Sequence, residues 1–442
     1  MIDHKTSEEE EDGNLEQLLS SKEVVRHLAR GCGDCQRVVR QSFISFEVAA
    51  KGETEAREPS GAYDVALDRA MGDLSRSELL SRGEQLRFLK ASSLLRSGGG
   101  VLAIAQTGKM SVEGLGVYEA LLARSWSIRY DDHQGMCHLA KVAVEMSEGF
   151  DADTYGVEVV ADLRARAWGE LANAYRAADR LRDSEIAFGK AFDFFRQGTQ
   201  DRGLRIRLLD LEASLLGTLR QFPIALQRLT VLADMYQSDG EPHLAGRALV
   251  TKALYTFYSG NTEDACQTIA KALTLIDRER DPSLTLVAAF DQLLFLVDCG
   301  RFKEAKRALF INRPSFTQQG RIAMLKLRGI EGRICYGLGE LESAEVATRE
   351  TKEGLADAGM GFACALVGLD LAMILLRQQR RDEGIQEVLE SASMFDSLSI
   401  HRELLGTAML LKETFRAQTA DLALLEASAQ YLRKKMMEFG LG

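Results

Sequence analysis

The sequence predicts an all-α protein made of antiparallel helix pairs stacked side by side into an α-solenoid. The 442 residues include only five prolines, which leaves long helices uninterrupted. From about residue 62 onward the apolar residues recur at helical spacing. A turn also recurs about every forty residues, which indicates two helices per repeat.

Each recurring turn is followed by a small residue that begins the buried face of the second helix. A small side chain is needed there because the two helices of a pair approach closely where they cross. Successive small residues are 41, 40, 40, 39 and 40 positions apart, and they are Ser184, Ala225, Ala265, Ala305, Ala344 and Gly384. So regular a spacing is not expected by chance, and it indicates one repeat array.

The other segments follow in chain order from their composition. Residues 1–13 carry the run EEEEDG, which is typical of a disordered acidic tail. Residues 14–51 contain two short amphipathic stretches, which predict a small helical module. Residues 52–61 combine glycine, proline and charge, as linkers do. We expect connecting helices over 62–111 and the repeat array, with C-terminal capping helices, over 112–442.

The charge and hydropathy patterns exclude several classes of protein. A formal net charge of -10 argues against non-specific binding to nucleic acid or anionic membranes, because both need a basic surface. No apolar run reaches 18 residues, and the acidic N-terminus lacks the basic and apolar stretches of a signal peptide. We therefore expect a cytoplasmic protein with no nucleic-acid partner and no membrane partner.

Residues 167–192, AWGELANAYRAADRLRDSEIAFGKAF, resemble a tetratricopeptide repeat. The positions that carry the resemblance are Trp168, Leu171, Ala172, Tyr175, Ser184 and Phe188. The other repeats, over roughly 112–415, keep the small and large apolar positions with a longer period than usual. Similar lengthened repeats occur in bacterial regulatory proteins, both peptide-pheromone receptors and the sensor arrays of transcription activators. The resemblance implies a TPR-like right-handed superhelix whose first helices line a concave surface that binds partners.

By that resemblance, seven residues of the first helices are expected to line the concave surface. They are Arg166, Asn173, Arg176, Arg247, Leu254, Arg333 and Tyr336. Asparagine and arginine there suit the backbone or the carboxylate of a peptide, since a guanidinium binds a carboxylate through two hydrogen bonds. The alternative is that these arginines only solvate the groove. The aromatic residues of the repeat, such as Trp168 and Phe188, are expected in the core.

The stretch HLARGCGDC resembles the zinc-binding motif of anti-sigma factors, in which a histidine precedes a C-x2-C pair. By that resemblance the ligands are His27, Cys32 and Cys35, and the cofactor is Zn²⁺. Four residues separate His27 from Cys32, where the family has three. Structural zinc also needs a fourth ligand, for which His4 and Asp34 are the candidates. The alternative is a thiol pair without metal. The resemblance implies a second, sigma-factor-like protein as the partner of this module.

No motif in the sequence supports catalysis. The stretch AIAQTGKMS lacks the first glycine and the hydroxyl of a phosphate-binding loop. Cys137 lies four residues after His133, but Gly135 interrupts the stretch. We therefore predict a non-enzymatic scaffold or regulatory adaptor that binds a protein or peptide in its groove. The alternative hypothesis is a signalling sensor or anti-sigma-like transcriptional regulator, and a third is a hydrolase that uses Cys137 as nucleophile.

Overall fold

The computed structural model describes residues 114–316, 320–397 and 422–438, together with isolated positions between 87 and 95 and between 407 and 415. Every regular element in this part of the chain is an α-helix. The all-α prediction is therefore confirmed. The acidic tail, the N-terminal helical module with the motif HLARGCGDC, the linker and nearly all of the connecting segment lie outside the described residues.

The helices follow one another through short connections. Their bounds are α1 (Leu115–Ser127), α2 (His133–Glu148), α3 (Ala152–Tyr155), α4 (Val157–Ala177), α5 (Leu181–Gln197), α6 (Arg202–Thr218), α7 (Phe222–Ser238), α8 (Pro242–Tyr258), α9 (Thr262–Leu275), α10 (Pro282–Asp298), α11 (Phe302–Phe316), α12 (Arg321–Leu338), α13 (Leu341–Asp357), α14 (Gly361–Arg377), α15 (Arg381–Ser397) and α16 (Leu422–Glu438). Within the described ranges, no helix combines the length and the apolar character that a membrane crossing requires.

The described residues form two compact units. The first unit ends at Thr285, and the second unit begins at Leu286. In the first unit α4 packs against α5, α6 against α7, and α8 against α9. In the second unit α12 packs against α13, and α14 against α15. Only two or three residues connect the helices of each pair, so the two helices run antiparallel. The helix pairs expected from the repeat are therefore present in both units.

The small residue predicted at each helix crossing is the fourth residue of its helix in all six cases, in α5, α7, α9, α11, α13 and α15. Ser184 is completely buried, and its hydroxyl donates to the carbonyl oxygen of Ala172 at 2.7 Å. At Gly384 a Cβ would lie 3.2 Å from the carbonyl oxygen of Ala372. Ala265 is likewise completely buried. These contacts confirm that the two helices of a pair cross closely at this position.

The turn inside each pair also repeats, with one residue in the left-handed region. The φ angle is 57° at Asp179, 58° at Arg220 and 95° at Gly260. The residue that follows donates its backbone N–H back across the turn, as Arg180 does to the carbonyl oxygen of Tyr175 at 2.8 Å. This hydrogen bond satisfies a carbonyl at the end of the first helix. The turn as a whole reverses the direction of the chain, so the second helix packs against the first.

The aromatic residues assigned to the core are found there. Phe188 is buried in a cluster with Ala172 and Leu211, and the rings of Trp168 and Tyr175 pack against the same cluster. The ammonium of Lys190 lies 4.0 Å from the centroid of the Trp168 ring. The indole of Trp168 is thus in contact with the core cluster and with a cation over its ring.

Candidate functional site

Arginines of the first unit face carboxylates on a neighbouring helix one repeat earlier. Arg166 on α4 makes two hydrogen bonds to Glu119 on α1, at 2.6 and 2.9 Å. Although burial lowers the pKa of Arg166, the charge of Glu119 holds it above its ordinary value. Arg166 is therefore a charged group that is already engaged with a carboxylate of its own chain.

The same arrangement continues along the first unit. Arg207 on α6 makes two hydrogen bonds to Glu170 on α4, at 2.7 and 2.9 Å, and Arg247 on α8 donates to Asp210 on α6 at 2.8 Å. We call these pairs, with Arg166 and Glu119, the arginine–carboxylate ladder. The ladder connects α1, α4, α6 and α8 through side chains that are at most 21% exposed. Its carboxylates compensate the charge of guanidiniums that could not be buried alone.

The remaining predicted surface residues of the first unit have different surroundings. Asn173 is buried, and its side-chain oxygen accepts a hydrogen bond from Nε of Arg176 at 3.1 Å. Arg176 and Leu254 are half-buried. The amide of Asn173 therefore orients Arg176, and Arg176 keeps part of its surface accessible to a partner.

The two predicted residues of the second unit, Arg333 and Tyr336, line an open cavity of about 320 Å³. Its walls come from α10, α12, α14 and α16, with contributions from α11 and α13. The lining residues are Val297, Asp298, Phe302, Gly332, Arg333, Tyr336, Gly337, Thr348, Asp370, Met373, Ile374, Arg377, Glu426, Gln430 and Arg433. Three guanidiniums and three carboxylates thus meet beside an apolar wall.

Two of the three cavity arginines are paired within the walls. Arg333 on α12 donates to Asp298 on α10 at 2.5 Å, and both side chains are largely buried. Arg433 on α16 donates to Asp370 on α14, and this pair is also largely buried. Burial and the nearby positive charge of Arg333 lower the pKa of Arg433. These two pairs tie α10 to α12 and α14 to α16.

The third arginine lies at the mouth of the cavity with Tyr336. The guanidinium of Arg377 lies over the Tyr336 ring, 4.1 Å from its centroid. The Tyr336 hydroxyl donates to Oε1 of Glu426 at 2.6 Å, and Nη2 of Arg377 donates to the same oxygen at 3.4 Å. Burial raises the pKa of Tyr336, and the hydrogen bond with Glu426 raises it further. The phenol therefore stays protonated and acts as a donor.

Of the charged and aromatic residues of this cavity, the sequence predicted Arg333 and Tyr336 and not the others. Arg377 lies 41 positions after Tyr336, so extending the repeat by one more period would have placed it on the same surface. Glu426 and Arg433 carried no such signal. They come from α16, and the hydrogen bond from Tyr336 to Glu426 spans 90 positions of the chain.

The other candidate sites show no catalytic arrangement in the described part of the chain. Burial raises the pKa of Cys137, which keeps its thiol protonated and unreactive. Among the described residues, no cluster of histidine, cysteine or carboxylate side chains has the arrangement of a metal site. His27, Cys32 and Cys35 lie outside the described residues, and zinc binding by them stays a prediction.

No protein-family model matches the chain, and no curated protein sequence matches it. The apo form of RapI is 12% identical over 92% of this chain and 99% of that one, with a TM-score of 0.50. Aspartyl phosphate phosphatase F from Bacillus subtilis is 15% identical over 88% of this chain and 96% of that one, with a TM-score of 0.45. A tetratricopeptide repeat protein from Parabacteroides merdae ATCC 43184 is 15% identical over 67% of this chain and 98% of that one, with a TM-score of 0.44. The likeness to RapI shows the fold alone, an array of tetratricopeptide-like helical repeats.

Proposed function

We propose that this chain is a cytoplasmic, non-enzymatic regulatory adaptor that binds a protein or peptide, and that the cavity of the second unit is part of its binding site. The observation that carries the proposal is the composition of that cavity. Guanidinium and carboxylate groups converge beside the apolar side chains of Met373 and Ile374, as polar groups do in sites that bind and orient a ligand. Arg333 and Tyr336, which the resemblance to tetratricopeptide repeats assigned to the partner-binding surface, both belong to it.

The first unit provides a second part of the proposed surface. Arg166 and Arg247 hold carboxylates of their own chain, so their proposed role is to position the surface for a partner. Arg176 and Leu254 are half-buried and are the residues that we expect a peptide to contact. Asn173 supports this contact by orienting Arg176.

A binding role agrees better than catalysis with the chemistry of the described residues. The raised pKa of Cys137 disfavours its use as a nucleophile. The charged groups of the cavity are largely neutralised in guanidinium–carboxylate pairs. Such pairs hold a wall in place, whereas a general acid or base must be able to exchange a proton with its substrate.

The alternative function, a sensor or anti-sigma-like transcriptional regulator, rests on the motif HLARGCGDC. In that hypothesis the module over 14–51 binds zinc through His27, Cys32 and Cys35 and contacts a sigma-factor-like protein. The peptide-binding array then controls this contact. The two functions share the array, and they differ in what the N-terminal module does.

The proposed function is tested by closing the cavity with one bulky side chain. Gln430 lines the cavity on α16 and is exposed, so Gln430→Trp should obstruct the mouth while the protein stays folded. Gln386, an exposed glutamine on α15 that does not line the cavity, provides the matched control Gln386→Trp. Proteins and peptides captured from a lysate by the immobilised chain are compared by quantitative mass spectrometry.

We expect one set of partners to be captured by the wild type and by Gln386→Trp and to be lost from Gln430→Trp. Circular dichroism must show the same helix content in all three proteins. Identical capture by all three would contradict the assignment of the binding site to this cavity. Capture of no specific partner by any of them would contradict the adaptor function itself.

A further inference from the structure

Two donors on different helices address a single carboxylate oxygen at the mouth of the cavity. Tyr336 on α12 and Arg377 on α14 both donate to Oε1 of Glu426, at 2.6 and 3.4 Å. Nη1 of Arg377 also donates to the backbone carbonyl oxygen of Tyr336 at 3.5 Å. A phenol and a guanidinium placed side by side in this way form a receptor for one carboxylate group.

The pair formed by Arg377 and Glu426 differs from the other ion pairs of the cavity. Both of its side chains are 40% exposed and its closest N–O distance is 3.4 Å. In contrast, the side chains of Arg333 and Asp298 are 18% and 15% exposed, and they are 2.5 Å apart. The buried pair is costly to separate because each charge would lose its partner away from water. An exposed and long ion pair contributes little, and its carboxylate can return to water.

The carboxylate of Glu426 comes from an element outside the helix pairs that supply the donors. In a stacked repeat each unit contacts only its neighbours, but the bond from Tyr336 to Glu426 spans 90 positions. Helix α16 presents Glu426, Gln430 and Arg433 to the cavity. These positions are four and three residues apart, so they lie on one face of the helix.

We propose that Tyr336 and Arg377 form a subsite for the carboxylate of a ligand, and that Glu426 occupies this subsite as an internal substitute which the ligand displaces. The inference rests on the proposed function of the cavity as a binding site, and it names the chemistry that is bound. The ligand carries a free carboxylate, either at the C-terminus of a peptide or on a small organic acid. A cavity of about 320 Å³ with Met373 and Ile374 in its wall suits a small apolar group next to that carboxylate.

Displacement preserves the hydrogen bonds of the subsite. The protonated phenol of Tyr336, whose pKa is raised by burial and by Glu426, exchanges one carboxylate acceptor for another. Arg377 gains an acceptor that can be approached through two parallel hydrogen bonds. The buried pairs of Arg333 and Arg433 remain intact, so the cavity keeps its walls. The binding free energy then comes from better geometry at Arg377 and from burial of the apolar group.

The test uses the full-length chain and three probes. The first is a pentapeptide mixture of random sequence without aspartate or glutamate and with free C-terminal carboxylates, the second is the same mixture made as C-terminal amides, and the third is valerate. Native mass spectrometry identifies what remains bound, and equilibrium dialysis gives the affinity. The variants are Glu426→Gln, Arg377→Gln and Tyr336→Phe. Glu342→Gln is the control, because it makes the same change in charge at an exposed site on α13 that does not line the cavity.

The peptide acids should bind and the amides should not. Glu426→Gln should tighten binding on the order of tenfold, because the ligand then no longer has to displace hydrogen bonds to a charged carboxylate. Arg377→Gln and Tyr336→Phe should weaken binding, and Glu342→Gln should leave it unchanged. Binding of valerate with the same dependence on the variants would support the subsite and identify the ligand as a small acid.

Three results would overturn the inference in different ways. If peptide acids and amides bind equally, the cavity still binds peptides, but no carboxylate subsite exists. If Glu426→Gln, shown to be folded by circular dichroism, binds none of the three probes, this result contradicts both the carboxylate subsite and peptide binding at this cavity. Weaker binding of the acids by Glu426→Gln would also contradict displacement, because Glu426 would then be part of the receptor.

Discussion

The arginine–carboxylate ladder of the first unit should be the most sensitive polar feature of the fold. In its central pair, Arg207 and Glu170 are joined by hydrogen bonds of 2.7 and 2.9 Å, and their side chains are only 6% and 9% exposed. Arg207→Met removes the guanidinium and leaves the Glu170 carboxylate buried without its bidentate partner. Breaking one side of a buried pair costs about 3 to 5 kcal/mol. The guanidinium also lies 4.1 Å from the Trp126 ring centroid, and this contact is lost as well.

The free energy of unfolding is measured by urea denaturation followed by circular dichroism. Arg207→Met and Glu170→Leu should each lower the midpoint strongly, and the double variant should recover most of the loss, because no uncompensated charge is left in the interior. The control is Arg180→Met in the exposed pair with Asp183, whose side chains are 47% and 44% exposed. Its midpoint should stay close to that of the wild type.

A midpoint shift for Arg207→Met that is no larger than that for Arg180→Met would contradict the prediction. In that case the pair would be solvated in solution, and the ladder would not hold the first helices together. A loss of stability in the double variant as large as the two single losses combined would contradict it as well. Additive losses would mean that the two side chains contribute independently of their ion pair.

Three further predictions concern packing, pH and metal. Ala265→Leu should destabilise the protein by about 1 to 3 kcal/mol through overpacking at the helix crossing. Ala270→Leu, at an exposed site of the same helix, should have little effect. Equal thermal melting temperatures for the two variants would contradict the assignment of Ala265 to the crossing. Burial and, to a smaller extent, a nearby arginine lower the pKa of His243. As the pH falls below about 6.5, the unfolded state therefore takes up this proton before the folded state does, and the free energy of unfolding decreases. In urea titrations, His243→Gln should lose less stability than the wild type between pH 7.5 and 5.5. Elemental analysis should find one zinc per chain in the wild type and none in Cys32→Ser/Cys35→Ser, and wild-type protein without zinc would leave a thiol pair.

Much of the fold could be predicted because its signals are local. Helical apolar spacing and the near absence of proline identified the secondary structure. The recurring small residues identified the helix crossings, and Ser184, Ala265 and Gly384 do lie at the fourth position of the second helix in their pairs. A repeat also makes its own register visible, because the same packing requirement returns every forty residues or so.

The candidate site could be predicted only in part. The resemblance placed Arg166 and Arg247 on the binding surface, where a guanidinium was expected to face a partner. In the structure their guanidiniums bind Glu119 and Asp210. A sequence shows which residues share a face of one helix, but it does not show which carboxylate on the neighbouring helix comes within reach.

The sequence by itself determined the helix pairs, their period and the places where they cross, because each follows from a pattern within one or two turns of chain. Only the tertiary structure decided which charges meet. The offset between stacked helices brings Glu170 to Arg207, and the packing of α16 against α14 brings Glu426 to Tyr336 across 90 positions. The first contact recurs along the repeat, since Arg247 meets Asp210 at the same separation of 37 positions, whereas the second has no counterpart in the repeat. In both cases the partner depends on how helices lie against one another after the apolar faces are buried.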